Sequence, residues 1–225
     1  MKTLAILPVK SFGAAKQRLA ESLGAGSRQA LAQAMFADVL GALRRTDELD
    51  EIAVITSDHA AESAARGHGV LVLADTVQAG QSQATQIGIH HALAHGFDRV
   101  ALVPGDTPLV QPADLAGLLA RSGEGVSVVP DRHGTGTNAL VLTPPDAIEP
   151  SFGPDSRARH VAAAADAGVP LRIDEVAALA LDVDTPDDLA ALAAELEQGR
   201  GQAASTRGAL RQLDRAGAAP VRASA

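Results

Sequence analysis

Short apolar runs at residues 4–9, 52–56, 70–73, 99–103, 126–129, 139–142 and 171–173 alternate with longer stretches of helical periodicity, and no other feature restricts the fold as much. Consecutive apolar positions suit a strand covered on both faces. The helical stretches lie at 27–45, 58–66, 82–95, 112–121, 156–167 and 186–197. In the first, Leu31, Met35, Val39 and Leu43 share one face, with Ser27 the expected N-cap. Asp58 caps the second, and Pro112 and Pro186 open the fourth and last. Strands separated by helices build βαβ units, so the expected architecture is α/β, a mostly parallel sheet with helices on both faces. Ligands bind such sheets at the carboxyl ends of the strands, and the residues that follow each strand are therefore where chemistry is sought.

Composition removes several classes of function. The 225 residues suit one domain, and the absence of cysteine excludes disulfides, thiolate metal sites and thiol catalysis. With four Phe and no Trp or Tyr there is no platform for stacking bases. The net charge of −8 is uneven: residues 199–225 carry +4 and residues 1–198 carry −12. So acidic a body repels polyanions, and no nucleic-acid partner is expected. Residues 1–198 are read as the domain and 199–225 as a basic, disordered tail, with a short helix near 209–214 its only ordered part. The six apolar residues before Lys10 are too few for a signal peptide or a membrane span, which points to a cytoplasmic protein without a membrane partner.

Positive charge is written as arginine sixteen times and as lysine three times, at Lys2, Lys10 and Lys16. Lys10, Lys16 and Arg18 fall together behind the first strand, in Pro8-Val9-Lys10-Ser11-Phe12-Gly13-Ala14-Ala15-Lys16-Gln17-Arg18-Leu19. Three cations and a glycine there could wrap a polyphosphate, although the segment is not a P-loop. The strand at 99–103 is followed by Pro104-Gly105-Asp106-Thr107-Pro108, one carboxylate at a turn, a hard oxygen ligand of the kind Mg²⁺ takes. A second acid comes from Leu181-Asp182-Val183-Asp184-Thr185-Pro186. In extended backbone Asp182 and Asp184 face the same way; Asp184 is the favoured metal ligand and Asp182 the reserve, and Asp184 or Thr185 also suits a helix cap. Two further segments offer donors for an anion: Pro130-Asp131-Arg132-His133-Gly134-Thr135-Gly136-Thr137-Asn138 before a strand, and Ser151-Phe152-Gly153-Pro154-Asp155-Ser156-Arg157-Ala158-Arg159-His160 at a helix start. The latter is equally readable as an ordinary capped helix. Neither Gly134-Thr135-Gly136, which a strand follows, nor Gly24-Ala25-Gly26, which follows no strand, has the strand–turn–helix setting of a dinucleotide fingerprint. His91 and His95 are read as surface helix residues, and no Gly-x-Ser-x-Gly elbow is present.

These five segments, in the order in which they follow one another along residues 1–197, resemble the guanylyltransferases of deazaflavin coenzyme (factor 420) biosynthesis, which have a Rossmann-like nucleotidyltransferase fold. The resemblance implies transfer of GMP from GTP to the phosphate of phosphoenolpyruvate, 2-phospho-L-lactate or 3-phospho-D-glycerate, with release of pyrophosphate. By position it implies Asp106 and Asp184 on Mg²⁺, and Thr137, Asn138, Gly153 and Ser156 on the acceptor, while Lys10, Lys16 and Arg18 meet the triphosphate. It also implies a downstream transferase that could take the product by hand-off; the oligomeric state is open, a homodimer included. The chemistry agrees with what the sequence lacks. A phosphate monoester has its second pKa at about 6 and is already a nucleophilic dianion at neutral pH, so no general base is required. Two rivals are a sugar transferase, which would place Asp-x-Asp where this chain has Gly105-Asp106-Thr107, and a non-catalytic nucleotide-binding module.

Overall fold

A computed structural model describes residues 1–76 and 80–215. Leu4, Ala5, Ile6 and Leu7 are all fully buried, so β1 (Thr3–Val9) is covered on both faces, as its unbroken apolar run requires. The chain continues through α1 (Ala25–Leu43), β2 (Glu51–Thr56), α2 (His59–Gly67), β3 (Leu71–Ala74), α3 (Gln81–Ala94), β4 (Arg99–Leu102) and α4 (Pro112–Arg121). It then forms β5 (Gly125–Pro130), β6 (Thr137–Thr143), α5 (Ser156–Ala167), β7 (Leu171–Ile173), α6 (Ala177–Ala180), α7 (Pro186–Glu197) and α8 (Ala204–Arg215).

The seven strands form one sheet in the order β3-β2-β1-β4-β6-β5-β7. Only β6 runs against its neighbours, so the sheet is mostly parallel and the α/β, Rossmann-like expectation holds. The reason for the exception is length: the six residues 131–136 between β5 and β6 cannot make a crossover and must turn back as a hairpin. β6 also starts earlier than expected. Thr137 already pairs with Pro130, which puts Thr137 and Asn138 on a strand rather than in a loop.

Alternate residues of the strands feed two layers. Ala5, Leu7, Val54 and Ala101 pack with α1, α2 and α4; Leu4, Ile6, Val100 and Leu102 pack with α3 and α5. The α3 layer sits close because of Gly88, where a Cβ would lie 2.7 Å from the Ile6 side chain. The crossovers from β1 lead towards one edge and those from β4 towards the other. The crevice between their carboxyl ends is the switch point at which such sheets bind ligands.

A third apolar cluster joins α1 to the end of the chain through Leu31, Met35, Leu189, Leu192, Leu210 and Leu213. Here the expected disordered tail needs correction for residues 204–215. They form a full helix against α1, with Leu210 and Leu213 buried and Asp38 accepting from the backbone N–H groups of Ser205 (3.0 Å) and Thr206 (2.7 Å). The alanine and arginine content hid a buried stripe at Thr206, Leu210 and Leu213, and α7 is consequently not the last helix among the described residues. Residues 199–203 are described, with Ala203 buried, and residues 216–225, Arg222 included, lie outside the described residues. Residues 181–184 form no ladder strand, yet the expected alternation survives: Val183 is fully buried while Asp182 and Asp184 face the crevice. Among the described residues, no helix is long and apolar enough to cross a membrane.

Candidate active site

Behind β1 the backbone makes two single turns, Phe12–Ala14 and Gln17–Leu19; Lys10 precedes the first, Lys16 stands immediately before the second and Arg18 lies within it. Phe12 anchors the segment, buried edge-on against Phe36 of α1 at 5.6 Å between ring centroids. The Asp58 carboxylate ties it from the other side. One oxygen accepts from Ala60 and Ala61 as the cap of α2, and the other accepts from the Phe12 N–H at 3.0 Å. Burial would push the Asp58 pKa up, but these N–H donors outweigh it and hold the carboxyl below its usual range. Lys10 and Arg18 are exposed along the crevice, whereas the Lys16 side chain is only 7% exposed.

Lys16 turns to the acids. Its Nζ donates to Asp106 Oδ2 at 2.5 Å and to Asp184 Oδ1 at 3.0 Å. Burial alone lowers an ammonium pKa; the two carboxylates outweigh it and raise Lys16 above the usual lysine range. Backbone geometry brings the two acids together, because the Val183 N–H donates to the Asp106 carbonyl at 3.2 Å. Asp182 lines the same cavity beside them. Burial, reinforced by the Asp106 charge, pushes its carboxyl up to about 6, against the hydrogen bond it accepts from Asn138. That side-chain amide donates to Asp182 Oδ1 (3.1 Å) and to the Leu179 and Ala180 carbonyls (2.8 and 3.1 Å). Asn138 thus holds the acidic segment in place. Below it, Asp188 Oδ2 accepts from the backbone N–H groups of Asp184 and Thr185, while Oδ1 pairs with Arg132 at 2.7 Å. Thr185, with Asp188, is the N-terminal capping box of α7, so the cap falls to Thr185 and Asp184 is left for the crevice.

The opposite wall is neutral. The Thr137 N–H donates to Ser156 Oγ at 2.8 Å, which joins the start of β6 to the start of α5. Gly153 adopts φ +109°, a conformation that L side chains rarely take, and its carbonyl accepts from the Ser156 N–H. The turn is stitched to α3 by the Phe152 N–H, which donates to Ser82 Oγ at 3.0 Å. Gly136 keeps the hairpin loop closed, since a Cβ there would lie 2.6 Å from Asp131 Oδ2. The N-terminus of α5, with no side-chain cap, points its positive end to this wall.

Both walls enclose one cavity of about 830 Å³. All nine sequence candidates line it: Lys10, Lys16, Arg18, Asp106, Thr137, Asn138, Gly153, Ser156 and Asp184, with Asp182 beside them. Sequence reasoning missed the α1 side chains Met35 and Phe36 that floor it, and the bracing roles of Asp58, Arg132, Asp188 and His160. Met35 and Phe36 read as helix core, and nothing in one sequence separates core from cavity floor. His91 and His95 stack on each other at 3.9 Å, away from the cavity. Among the described residues no three His, Cys, Asp or Glu side chains converge as a ready-made cation cage, so a cation at Asp106 and Asp184 would take further oxygens from a ligand.

Known proteins resemble this chain in sequence and in fold. The chain is 52% identical over 216 residues to phosphoenolpyruvate guanylyltransferase of Conexibacter woesei, covering 95% of this chain and 97% of that one. It is 35% identical over 189 residues to 2-phospho-L-lactate guanylyltransferase of Methanothermobacter thermautotrophicus, covering 84% and 83%. A Desulfovibrio desulfuricans protein provisionally named a nucleotide-diphospho-sugar transferase superposes with a TM-score of 0.78 over 96% of each chain; at 18% identity this is a likeness of fold alone. The family described as guanylyl transferase CofC like matches residues 3–216, almost the whole of the described chain, and the chain belongs to that family as a nucleotidyltransferase that performs guanylyl transfer.

Proposed function

We propose that the protein moves GMP from GTP to the phosphate of a small phosphorylated carboxylic acid, phosphoenolpyruvate foremost, with 2-phospho-L-lactate and 3-phospho-D-glycerate as the alternatives, and that its product enters deazaflavin coenzyme biosynthesis. The observation that carries this reading is a single cavity with a carboxylate pair already sharing a cation on one wall and neutral anion donors on the other. The 52% identity to a phosphoenolpyruvate guanylyltransferase favours that acid over the others.

The Lys16 ammonium between Asp106 and Asp184 is a stand-in that shows the pair close enough to share one cation, so these residues fit Mg²⁺. Asp106 and Asp184 would hold the ion, which when bound supplies charge neutralisation at the phosphates. Lys10 and Arg18, exposed on the loop behind β1, meet the triphosphate, and Lys16 can turn from the acids to the phosphates within the same loop. Thr137, Gly153 and Ser156 hold the acid so that its phosphate oxygen faces the α-phosphorus in line with the leaving pyrophosphate. That oxygen forms the new bond to phosphorus while the α–β bridging bond breaks. No side chain has to remove a proton, because the attacking group is a dianion at neutral pH.

Pyrophosphate release with Mg²⁺, crossing ATP, CTP, GTP and UTP with the three acids, tests this. Release confined to GTP with one acid is the expected result. Release without any acid, or nucleotide binding with no release, would overturn it in favour of a hydrolase or a binding module.

A further inference from the structure

His160 takes no part in the chemistry above, yet it is fully buried directly behind the neutral wall. The backbone N–H of Ser151 donates to its Nε2 at 2.9 Å. A backbone amide can only donate, so Nε2 carries a lone pair and the neutral ring must keep its hydrogen on Nδ1. Nδ1 lies 2.9 Å from Thr137 Oγ1, so the ring donates and the hydroxyl accepts. Ser156 Oγ likewise accepts from the Thr137 N–H. Each hydroxyl receives a hydrogen bond from behind, and no acceptor among the described residues takes the hydrogen that either retains. Both residues line the cavity.

We propose that His160 is a positioning residue for the acceptor acid: by donating to Thr137 it turns that hydroxyl into a donor towards the cavity, paired with the hydroxyl of Ser156, and by accepting from Ser151 it holds the turn of Phe152 and Gly153. The proposal rests on the guanylyl-transfer reading and deepens it by assigning the oxyanion site to two pre-oriented hydroxyls. The site suits an oxygen anion, which only accepts, and rejects a ligand that must donate at that place. The surroundings keep the ring neutral. Burial, with the Arg159 guanidinium nearby, pulls its pKa down to about 4. A second ring hydrogen would also point at the Ser151 N–H. The Phe152 ring closes the remaining side, edge-on at 5.4 Å.

Two substitutions separate the bonds. His160→Asn keeps an N–H near the Nδ1 position, and His160→Gln keeps an acceptor near Nε2. In steady-state kinetics, His160→Gln should raise KM for the acid about tenfold, the worth of one hydrogen bond, with KM for GTP unchanged. His160→Asn should raise it less, and Thr137→Val added to His160→Gln should cost nothing more. Equal rises in both KM values, or additive losses in the double variant, would overturn the proposal. The tautomer is read without turnover, from the imidazole ¹⁵N shifts of the wild type at pH 7, with His160→Gln identifying the signal. A hydrogen on Nε2 in an enzyme that turns over overturns the proposal alone. A wild type silent with every acid, its hydrogen on Nδ1, overturns the guanylyl-transfer reading and the proposal with it.

Discussion

On one wall of the cavity Asp106 and Asp184 share a single ammonium with Asp182 beside them, while on the other Thr137, Ser156 and His160 are joined by neutral hydrogen bonds. The acidic wall is held by charge. Burial first and the Asp106 charge second raise the Asp182 carboxyl, while Asp106 and Asp184 stay together because Lys16 pairs with both and Asn138, Asp188 and Arg132 brace the segment. The neutral wall needs no counter-ion, and each of its members already has a partner. Under the proposed function, a wall whose two carboxylates already share one cation would suit a metal and the triphosphate, and a wall with fixed donors would suit recognition of a small anion.

The comparison is most severely tested by Asp106→Ala. Turnover should fall by about 10²–10³ or more, the scale of losing a preorganised electrostatic partner, with an unchanged circular dichroism spectrum. Wild-type turnover would show that the acidic wall is not where the chemistry lies. Next in size is the pH dependence of stability. His160 is depressed to about 4 in the folded protein and returns to its ordinary 6.5 on unfolding. The unfolded chain therefore takes up the extra proton between those values, and stability is lost as pH falls from 6.5 towards 4, by about 3 kcal/mol from this residue. Urea denaturation at pH 7 and 4.5 should show a smaller difference in His160→Gln than in the wild type; equal differences would mean that the neutral wall does not depend on an uncharged ring. The smallest effect belongs to Arg132→Ala, which removes a partly exposed ion pair from the brace beneath the acids. About 1 kcal/mol of stability is expected, with Thr185 and the backbone still holding Asp188. A loss of turnover as large as that of Asp106→Ala would mean that the brace itself places Asp184.

Part of the site was legible because the segments 10–18, 104–106 and 131–136 sit directly behind β1, β4 and β5, whose carboxyl ends share one edge. Asp182 and Asp184, by contrast, follow α6, and Gly153 and Ser156 come with the start of α5. The α/β class and the two-faced burial of β1 follow from the apolar runs, which report local burial. The hairpin that carries Thr137 was half legible, in the shortness of residues 131–136. The helix at Ala204–Arg215 was hidden by its low apolar content, since its stability comes from packing on α1 and from the Asp38 cap rather than from its own composition.

By itself, then, the sequence determined the alternation of strand and helix, the order of the motifs, and the side chains available at the sheet's edge. Only the tertiary structure decided which of them pair. Lys16 meets Asp106 and Asp184 across separations of 90 and 168 residues, and the lone proton of His160 is placed by an amide on one segment and a hydroxyl on another. Periodicity records how each residue is buried within its own element; partners so far apart in the chain are chosen by the packing of elements, and their protonation by the partners they meet.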